Sequence, residues 1–505
     1  MTASRINRTL LSLFAALLAA APSTACAEVQ LHHLFSDGAV LQQGATVPVW
    51  GTANDGERIT VQFQGQTVRT TASKGRWLVR LKPLKVGGPY TLRVTGPDNT
   101  LVRTNVLVGE VWVCSGQSNM AFLLSRAANA EEAIAAAHDP QLRLFTVARD
   151  AADAPVADVS GAWVESSPET AARFSAVAWF FGRDLRRALK VPVGLIHSSV
   201  GGTPAEAWTS RAGLEADPEL KQILERQAQS VANYDPAAAA ARHKKALADH
   251  KAAVARAKAA GQPRPRAPRA PRNPGQYQGR PCALYNGMIA PLQPYAIAGA
   301  IWYQGEANAG RAAEYQKLFP AMIQDWRRTW GQGDFPFLFV QIAPHQRMTP
   351  EIREAQLLTW QNVPRTGMAV ITDVGNETDI HPTKKEPVGA RLALAARAIA
   401  YGEKITYSGP VYESMQVKDG RAILSFSHVG GGLVAEGGEL KGFTIAGADG
   451  TFVPARAVIE GDKVAVSSPS VTKPTAVRYG WAATPNVNLF NREGLPATPF
   501  RTDVK

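Results

Sequence analysis

The sequence predicts an α/β protein in which a three-layer α/β domain lies between two β-rich domains. Nearly continuous apolar runs, typical of buried parallel strands, alternate with amphipathic helical patterns over residues 106–402. Short segments of alternating apolar and polar residues, separated by glycine-rich turns, fill residues 28–105 and again residues 403–505. A chain of 505 residues has room for roughly two to four domains, which fits this division.

The first 27 residues have the pattern of an export signal. A positively charged start and an apolar stretch precede the small-x-small cleavage pattern Ala25-Cys26-Ala27. We therefore expect a periplasmic or secreted protein, and a lipoprotein attached through Cys26 is the second alternative. Removal of this segment leaves Cys114 and Cys282, which are too few for a disulfide scaffold. Two buried free thiols are favoured over a single bridge.

The net charge of +13 does not indicate a basic surface on the folded domains. Residues 242–272 contain ten Lys and Arg side chains against one acid, Asp249, so this segment carries most of the excess. The chain outside this segment and the first 27 residues is close to neutral, which argues against a nucleic-acid partner. Beyond residue 27 no apolar run is long enough to cross a bilayer.

Residues 28–105 are predicted to form an N-terminal β-domain. Its alternating segments are Thr46–Trp50, Ile59–Phe63, Trp77–Leu81 and Tyr90–Val94. Turn residues such as Gly87-Gly88 separate these segments. Short strands at this spacing are typical of a β-sandwich.

Residues 106–402 are predicted to form the α/β domain. The apolar runs that predict its strands are Val108–Cys114, Val191–Ile196, Ala298–Tyr303, Phe337–Ile342 and Met368–Thr372. The amphipathic patterns that predict helices between them include Ala172–Leu189 and Ala312–Trp330. Because strands and helices alternate, a parallel sheet with helices on its faces is expected.

Residues 235–274 interrupt this domain as a basic insertion. Asp235–Ala260 is rich in Ala, Lys and Arg, which predicts a helix. Gly261–Pro274 interleaves five prolines with arginines, which predicts an extended, solvated loop. The segment lacks aromatic residues on which bases could stack, so a solvated insertion is favoured over an arm that binds nucleic acid or another anionic polymer.

Residues 403–505 are predicted to form a C-terminal β-domain. The β pattern returns here, with glycine-rich turns between the segments. These segments are Ala422–Phe426, Leu440–Ile445, Ala455–Ile459 and Val464–Val466.

A serine motif follows the first apolar run of the α/β domain. The segment Ser115–Met120 reads Ser-Gly-Gln-Ser-Asn-Met. A serine at the carboxyl end of a buried parallel strand lies in the crevice where open α/β sheets place their sites. If a helix follows, the backbone N–H groups at its start support an oxyanion. By spacing alone, a serine that merely caps a helix explains the motif equally well.

A serine nucleophile needs a general base, and His381 is the favoured candidate. It follows an apolar strand, and Asp379 lies two residues before it. A carboxylate beside a histidine can hold the tautomer of the ring and stabilise the imidazolium. His197 follows another strand and is the competing base, and a simple surface turn of the Asp-x-His type is the structural alternative.

Two further strands are followed by polar loops. One contains the pair Gly201-Gly202, which lets the backbone approach a ligand closely. The other, Trp302–Asn308, offers amide side chains as hydrogen-bond donors. Each loop alone is a common tight turn, but four strand ends that carry Ser, Gly, amide and His together indicate a site.

These motifs resemble the conserved blocks of bacterial sialate O-acetylesterases, which are serine esterases of the SGNH-hydrolase superfamily. The matching blocks are Gly116–Met120, Gly201–Trp208, Trp302–Asn308 and Asp379–Pro382, with further similarity at Phe35–Gln43 and Leu284–Leu292. The resemblance covers nearly the whole chain after residue 27, except residues 235–274. It implies a flavodoxin-like three-layer SGNH-hydrolase domain flanked by N- and C-terminal β-sandwich-like domains.

The resemblance also implies a role for each matching residue. Ser118 is the nucleophile, His381 the general base and Asp379 the third member of a triad. Asp379 stands two residues before the histidine, where many superfamily members have the acid three before, so a Ser-His dyad oriented by a backbone carbonyl stays open. The oxyanion hole is expected to use the Ser118 amide, Gly202 or its neighbour Gly201, and a side-chain amide, either Gln304, which is preferred, or Asn308. The residues expected to bind substrate are Gln117, Trp208, Trp302, Tyr303 and Glu306.

The implied activity is the removal of O-acetyl groups from sialic acids, with no cofactor and no metal. An acetylxylan or other polysaccharide acetylesterase would use the same residues on a different sugar. A non-catalytic glycan-binding protein is the alternative of another class, suggested by the two β-domains. The expected partner is therefore an O-acetylated sugar or glycan, and the oligomeric state is left open.

Overall fold

The structure is a computed structural model that describes residues 28–503. Its centre is a mixed sheet of 11 strands, and further β-sheets lie toward both ends of the chain. This arrangement confirms the predicted α/β class with additional β-rich regions. The predicted export signal, residues 1–27, lies outside the described residues.

The parallel part of the central sheet determines where the site lies. Its strands have the spatial order Asp139–Thr146, Val193–Ser199, Thr100–Gly116, Gly299–Tyr303, Phe337–Val340 and Thr366–Ala369. The strand Trp163–Ser166 adds an antiparallel edge beside Asp139–Thr146. All of the predicted apolar runs form strands, whereas Asp139–Thr146 was missed because Pro140 and Arg143 interrupt its apolar pattern.

Helices cover both faces of this sheet. Trp112 and Trp302 lie out of phase in the register of two neighbouring strands, so their side chains point to opposite faces. The ring centroids of Trp112 and Phe181 are 5.1 Å apart, and those of Trp302 and Phe319 are 6.4 Å apart. The helices that carry these two phenylalanines are Ala176–Leu189 and Ala312–Trp330.

The helix bounds largely follow the predicted patterns. Ala312–Trp330 has the predicted bounds and ends at Gly331, whose φ is 69°. The predicted helix at 172–189 is divided, because Ser175 accepts a hydrogen bond from the N–H of Ala178 and caps a new helix. The other α-helices are Ala130–Ala135, Pro168–Ala172, Arg211–Glu215, Pro218–Ala232, Pro236–Ala259, Pro350–Asn362 and Glu386–Ile399. Shorter helical turns are Leu124–Arg126, Ala205–Trp208, Tyr285–Ile289, Ala290–Leu292 and Glu306–Arg311.

The N-terminal β-region shares a strand and a hydrophobic core with the centre of the molecule. The strand Thr100–Gly116 pairs antiparallel with Gly87–Thr95 and then parallel with Val193–Ser199. It therefore runs through the boundary predicted between residues 105 and 106, and that boundary stays a prediction. The other strands of this region are Gln30–Leu31, Val40–Gln42, Val47–Thr52, Arg58–Phe63, Gln66–Thr71 and Arg76–Leu81.

The C-terminal β-region has a hydrophobic core of its own. One sheet has the order Val411–Lys418, Arg421–Ser427, Lys463–Ser467 and Arg456–Glu460. A second has the order Val453–Pro454, Phe443–Ala446, Ala476–Tyr479 and Phe500–Arg501, and Leu433–Ala435 pairs with Leu489–Asn491. The buried guanidinium of Arg353 connects this region to the central domain, since it donates to the carbonyls of Ala482 at 2.8 Å and Ala483 at 2.6 Å.

The basic insertion has the predicted form. Its helix, Pro236–Ala259, buries only Ala239 and Ala257, and residues 262–273 have no regular secondary structure. Cys114 and Cys282 are free and buried, as predicted. Within residues 28–503, no helix combines the length and apolar character needed to cross a membrane.

Candidate active site

The strand Thr100–Gly116, which comes first along the chain among the parallel strands, ends in a glycine that no other residue can replace without strain. Gly116 has a φ of 137°, and a Cβ atom there would lie 2.2 Å from the carbonyl oxygen of Tyr303. The turn that follows presents Ser118 partly exposed, whereas Ser115 is completely buried. The expected helix does not follow, because residues 117–121 form a turn in which the N–H of Ala121 donates to Gln117.

This turn lies where the chain order of the sheet reverses. The strand Thr100–Gly116 has Val193–Ser199 on one side and Gly299–Tyr303 on the other, so later parts of the chain leave it in both directions. Ligands of open α/β sheets bind in the crevice at such a reversal, outside the carboxyl ends of the strands. The loops after all three strands therefore meet at Ser118.

His381 lies beside the serine. Its Nε2 atom is 2.8 Å from Oγ of Ser118, which is hydrogen-bond distance. His197, the competing base, instead places its Nε2 atom 2.6 Å from Oγ of Ser199 and is almost fully buried. Of these two histidines, His381 is the one that pairs with the accessible serine.

The surroundings of His381 favour its neutral form. Partial burial lowers the pKa of this histidine below its usual value. The carboxylate of Asp379 opposes this shift, while the charges of Lys385, Arg126 and His345 reinforce it. A neutral imidazole can accept a proton, so the direction of this shift is compatible with the predicted role of His381 as a base.

Asp379 is close to His381 but does not bond to its ring. Its Oδ1 atom accepts a hydrogen bond from the backbone N–H of His381 at 2.9 Å and lies 3.6 Å from Nδ1. The side chain is 61% exposed, so water screens its charge. No backbone carbonyl in residues 28–503 accepts a hydrogen bond from that Nδ1 atom either. Asp379 as a triad member therefore stays a prediction.

Two backbone segments at the site offer free hydrogen-bond donors. Within the described chain, the N–H groups of Ser118, Gly201 and Gly202 donate to no other protein atom. A Cβ atom on Gly201 would lie 3.3 Å from Cβ of Ser118, so this backbone faces the serine. Gly202 has a φ of 72° and open space where a side chain would project. The hydroxyl of Tyr277 holds this turn by donating to the Gly202 carbonyl at 2.8 Å.

The two side-chain amides expected at the oxyanion hole are engaged elsewhere. Gln304 donates through Nε2 to the carbonyl of Thr203 at 3.2 Å and to Oδ1 of Asn308 at 2.7 Å. Asn308 in turn donates to Glu206 at 2.9 Å. Both amide hydrogens of Gln304 and one of the two of Asn308 are used, so the open backbone donors at the site are the peptide groups of Ser118, Gly201 and Gly202.

Most of the side chains expected to bind substrate are buried. Trp208, Trp302 and Tyr303 have no solvent exposure. The two tryptophans pack between the sheet and the helix Ala312–Trp330, whereas Tyr303 points to the opposite face of the sheet, where its ring centroid lies 5.2 Å from the ammonium of Lys385. This burial argues against direct contact of these rings with a substrate. Gln117 is also buried and accepts a hydrogen bond from the N–H of Ala307 at 3.2 Å, so it joins two of the site loops.

The structure also brings residues to the site that the sequence patterns had not distinguished. Glu306, expected at the substrate, instead accepts a hydrogen bond from Nδ2 of Asn119 at 2.6 Å. Lys385 is completely buried and donates to the other end of the same amide. Asn119 lies in the serine motif, where no role was predicted for it. No sequence pattern identified Lys385, because nothing in the sequence distinguishes it from its neighbour Lys384, which is exposed. No group of three or more His, Cys, Asp or Glu residues within 28–503 is arranged to hold a metal ion.

Comparison with known proteins finds similarity to carbohydrate esterases. A family model described as a sialic acid-specific acetylesterase among the carbohydrate esterases matches residues 275–398, which include Gln304 and His381. Sialate O-acetylesterase of Rattus norvegicus is 33% identical over 431 residues, which cover 75% of this chain and 75% of the rat protein. The enzyme of Homo sapiens is 30% identical over 443 residues, which cover 78% and 76%.

A solved structure extends the similarity to nearly the whole chain. A carbohydrate acetylesterase from Xanthomonas citri is 40% identical and superposes with a TM-score of 0.80, over 94% of this chain and 100% of that chain. The match includes both β-rich regions as well as the central sheet. The expected family is therefore confirmed, while the bacterial origin stays a prediction. The chain belongs to the sialate O-acetylesterase family of carbohydrate esterases, and it is an esterase that hydrolyses O-acetyl esters.

Proposed function

We propose that this protein removes O-acetyl groups from sialic acids through an acyl-enzyme intermediate formed on Ser118. The observation that carries the proposal is the distance of 2.8 Å between Oγ of Ser118 and Nε2 of His381. The pair lies at the reversal point of a parallel sheet, and the serine is accessible to a ligand. A non-catalytic glycan-binding protein would not need a serine and a neutral histidine in this arrangement.

The mechanism follows from the position of each group. His381 accepts the proton of Ser118 through Nε2 while Oγ attacks the acetyl carbonyl. The N–H groups of Ser118 and Gly202 stabilise the negative oxygen of the tetrahedral intermediate, and the loss of one such donor costs about 3–4 kcal/mol. His381 then protonates the departing sugar oxygen. In the second half it activates water, which releases acetate from the serine.

We also propose the flavodoxin-like arrangement of the SGNH hydrolases for the central domain. Its support is the strand order. If the strands that carry the predicted apolar runs are numbered along the chain, they lie in the order 2-1-3-4-5, which is that of flavodoxin-like sheets, and the parallel strand Asp139–Thr146 extends this order beyond strand 2. We also propose domain boundaries at 105/106 and 402/403 and export of the protein to the periplasm or medium. Both proposals rest on the sequence patterns.

One charge near the site supports sialic acid as the substrate. Sialic acids carry a carboxylate, and neutral polysaccharides such as xylan do not. Arg126 is exposed, its charge reaches His381, and no ion pair within residues 28–503 includes it. Its guanidinium lies 4.9 Å from the ring centroid of Phe122, so a partner can approach a preordered group. Arg126 is therefore available to bind the carboxylate of the sugar.

A polysaccharide acetylesterase is the second candidate. The observation in its favour is the identity of 40% with the carbohydrate acetylesterase from Xanthomonas citri, which is higher than that with the rat and human enzymes. Ser118 would attack the acetyl esters of such a polysaccharide in the same way. Acetate release from O-acetylated sialic acids and from acetylated xylan, measured side by side, separates the two substrate classes.

The replacement Ser118→Ala tests the proposed chemistry. We expect a folded protein whose activity on p-nitrophenyl acetate falls by several orders of magnitude, since the nucleophile and base act as a unit. Ser115→Ala is the matched control and should keep its activity, because Ser115 is fully buried. A fluorophosphonate should label Ser118 by peptide mapping. Label on another serine, together with an active Ser118→Ala variant, would contradict the assignment.

A further inference from the structure

The amide of Asn119 connects the segment of the serine with the segment of the histidine. Asn119 directly follows Ser118 in the chain, and Ile380 directly precedes His381. Nδ2 of Asn119 donates to the carbonyl oxygen of Ile380 at 3.0 Å and to Oε1 of Glu306 at 2.6 Å. The peptide that carries the base is thereby fixed to the residue beside the nucleophile.

Lys385 fixes the orientation of this amide. Its ammonium group donates to Oδ1 of Asn119, on the side opposite Glu306 and Ile380. An ammonium can only donate, whereas a carboxylate and a carbonyl can only accept, so the amide has one orientation that satisfies all of them. Asn119 is 1% exposed and Lys385 is not exposed at all, so water cannot substitute for either partner.

The position of Lys385 is costly for the fold. A positive charge at the start of the helix Glu386–Ile399 opposes the helix dipole. Burial lowers the pKa of Lys385 to about 7, although Glu306 partly opposes this shift. The ammonium lies 4.9 Å and 5.2 Å from the ring centroids of Phe122 and Tyr303, where an apolar side chain would pack without any desolvation cost. A lysine at such a place, rather than an apolar side chain, needs a reason outside stability.

Asp379 does not supply the orientation that the histidine needs. Its carboxylate is exposed and lies 3.6 Å from Nδ1 of His381. We propose that Lys385 is a positioning residue of this esterase, which through the amide of Asn119 holds His381 against Ser118. The inference rests on the proposed roles of Ser118 and His381.

The first test compares Lys385→Met with Lys384→Met. Lys384 is exposed and adjacent, so it is a matched control for loss of one lysine. With p-nitrophenyl acetate we expect Lys385→Met to lower kcat about 10- to 100-fold, as displacement of a reacting group by roughly 1 Å does. KM should change less than about threefold, because Lys385 does not touch substrate. Lys384→Met should behave as the original protein.

The pH profile gives a readout that a purely structural role would not move. The charges that act on His381 come from Asp379, Lys385, Arg126 and His345. Lys385 is protonated where His381 titrates, and its charge lowers the pKa of the histidine. Removal of that charge therefore raises this pKa. The acid limb of kcat/KM should move to higher pH in Lys385→Met and stay in place in Lys384→Met.

A double variant keeps the proposal testable if Lys385→Met does not fold. Lys385→Met combined with Glu306→Gln removes both buried charges but still leaves Oδ1 of Asn119 without its donor. A low kcat and a shifted acid limb in this variant support the positioning role. Original kcat, or an unmoved acid limb in a folded variant, overturns it. Ser118→Ala separates the two proposals, since an inactive Ser118→Ala beside a fully active lysine variant refutes only the role of Lys385.

Discussion

The replacement Asp379→Asn should have a small effect on an enzyme of this geometry. The carboxylate is 61% exposed and lies 3.6 Å from Nδ1 of His381, so it makes no hydrogen bond with the ring. Exposed charge pairs contribute about 0–1 kcal/mol, which corresponds to a loss of at most roughly fivefold in rate. A buried carboxylate bonded to the histidine of a triad is worth about 10⁴-fold. The two arrangements therefore differ by about three orders of magnitude in the expected result.

The pH dependence of the same variant has a defined sign. The negative charge of Asp379 raises the pKa of His381, against the larger opposing effect of burial. Loss of that charge lowers the pKa further. Because the base works only when neutral, the acid limb of kcat/KM for p-nitrophenyl acetate should move to lower pH. This shift is opposite to the one expected for Lys385→Met, so each variant serves as a control for the direction of the shift in the other.

Asp379→Ala serves as the control for the turn. Asparagine keeps a side-chain oxygen that can accept the hydrogen bond from the backbone N–H of His381, which the carboxylate accepts at 2.9 Å. Alanine removes both the charge and that acceptor, so it should lose more activity than asparagine. His381→Ala should abolish turnover. A loss of 10³-fold or more in Asp379→Asn, with the fold intact by circular dichroism, would refute this reasoning and establish a triad.

Three further outcomes follow from the contacts around the site. Gly116→Ala should lower stability by about 2–5 kcal/mol in chemical denaturation, because its Cβ would lie 2.2 Å from a carbonyl oxygen, whereas Gly202→Ala should cost about 1 kcal/mol for its positive φ alone. Equal stability of the two variants would contradict this. Replacement of residues 240–274 by a short Gly/Ser linker should preserve folding and activity on p-nitrophenyl acetate, because the helix of the insertion buries only two alanines. A folded but inactive deletion would make the insertion part of the site. Arg126→Gln should raise KM about tenfold for an O-acetylated sialic acid and leave acetylated xylan unaffected, which acetate-release kinetics would measure. An equal effect on both substrates would exclude recognition of the carboxylate.

The strands of the fold were predictable where both faces of the sheet are covered, because their sequences are then almost continuously apolar. The run Val108–Cys114 is apolar except for Glu110 because both faces of its strand are covered, and such runs identify parallel strands directly. The strand Asp139–Thr146 is covered less evenly and carries a proline and an arginine, so its pattern is not distinctive. The continuity of Thr100–Gly116 from the N-terminal β-region into the central parallel strands was also hidden, because a sequence pattern shows alternation but not which strands are neighbours.

The site was predictable for residues that follow the parallel strands and whose residue type has few other candidates in the sequence. Ser118, Gly202 and His381 follow strands whose carboxyl ends share one edge, so their convergence follows from the topology. The tryptophan and tyrosine residues of the motifs were expected to contact a sugar, yet the structure buries them in the core. Sequence spacing places a side chain near a site without showing whether it points into the cleft or behind it.

The spacing of Asp379 and the burial of Lys385 have a common physical explanation. An aspartate two residues before another residue can accept that residue's backbone N–H in a local turn, and Asp379 does so with His381. The carboxylate is thereby held beside the backbone and does not bond to Nδ1. With an acid three residues before the histidine, this local bond would not compete in the same way. The orientation of the ring then has to come from elsewhere, and the amide of Asn119, held by Lys385, is the buried group that fixes the peptide of the histidine. On this view, the two-residue spacing between Asp379 and His381 and the buried Lys385 are two parts of one arrangement.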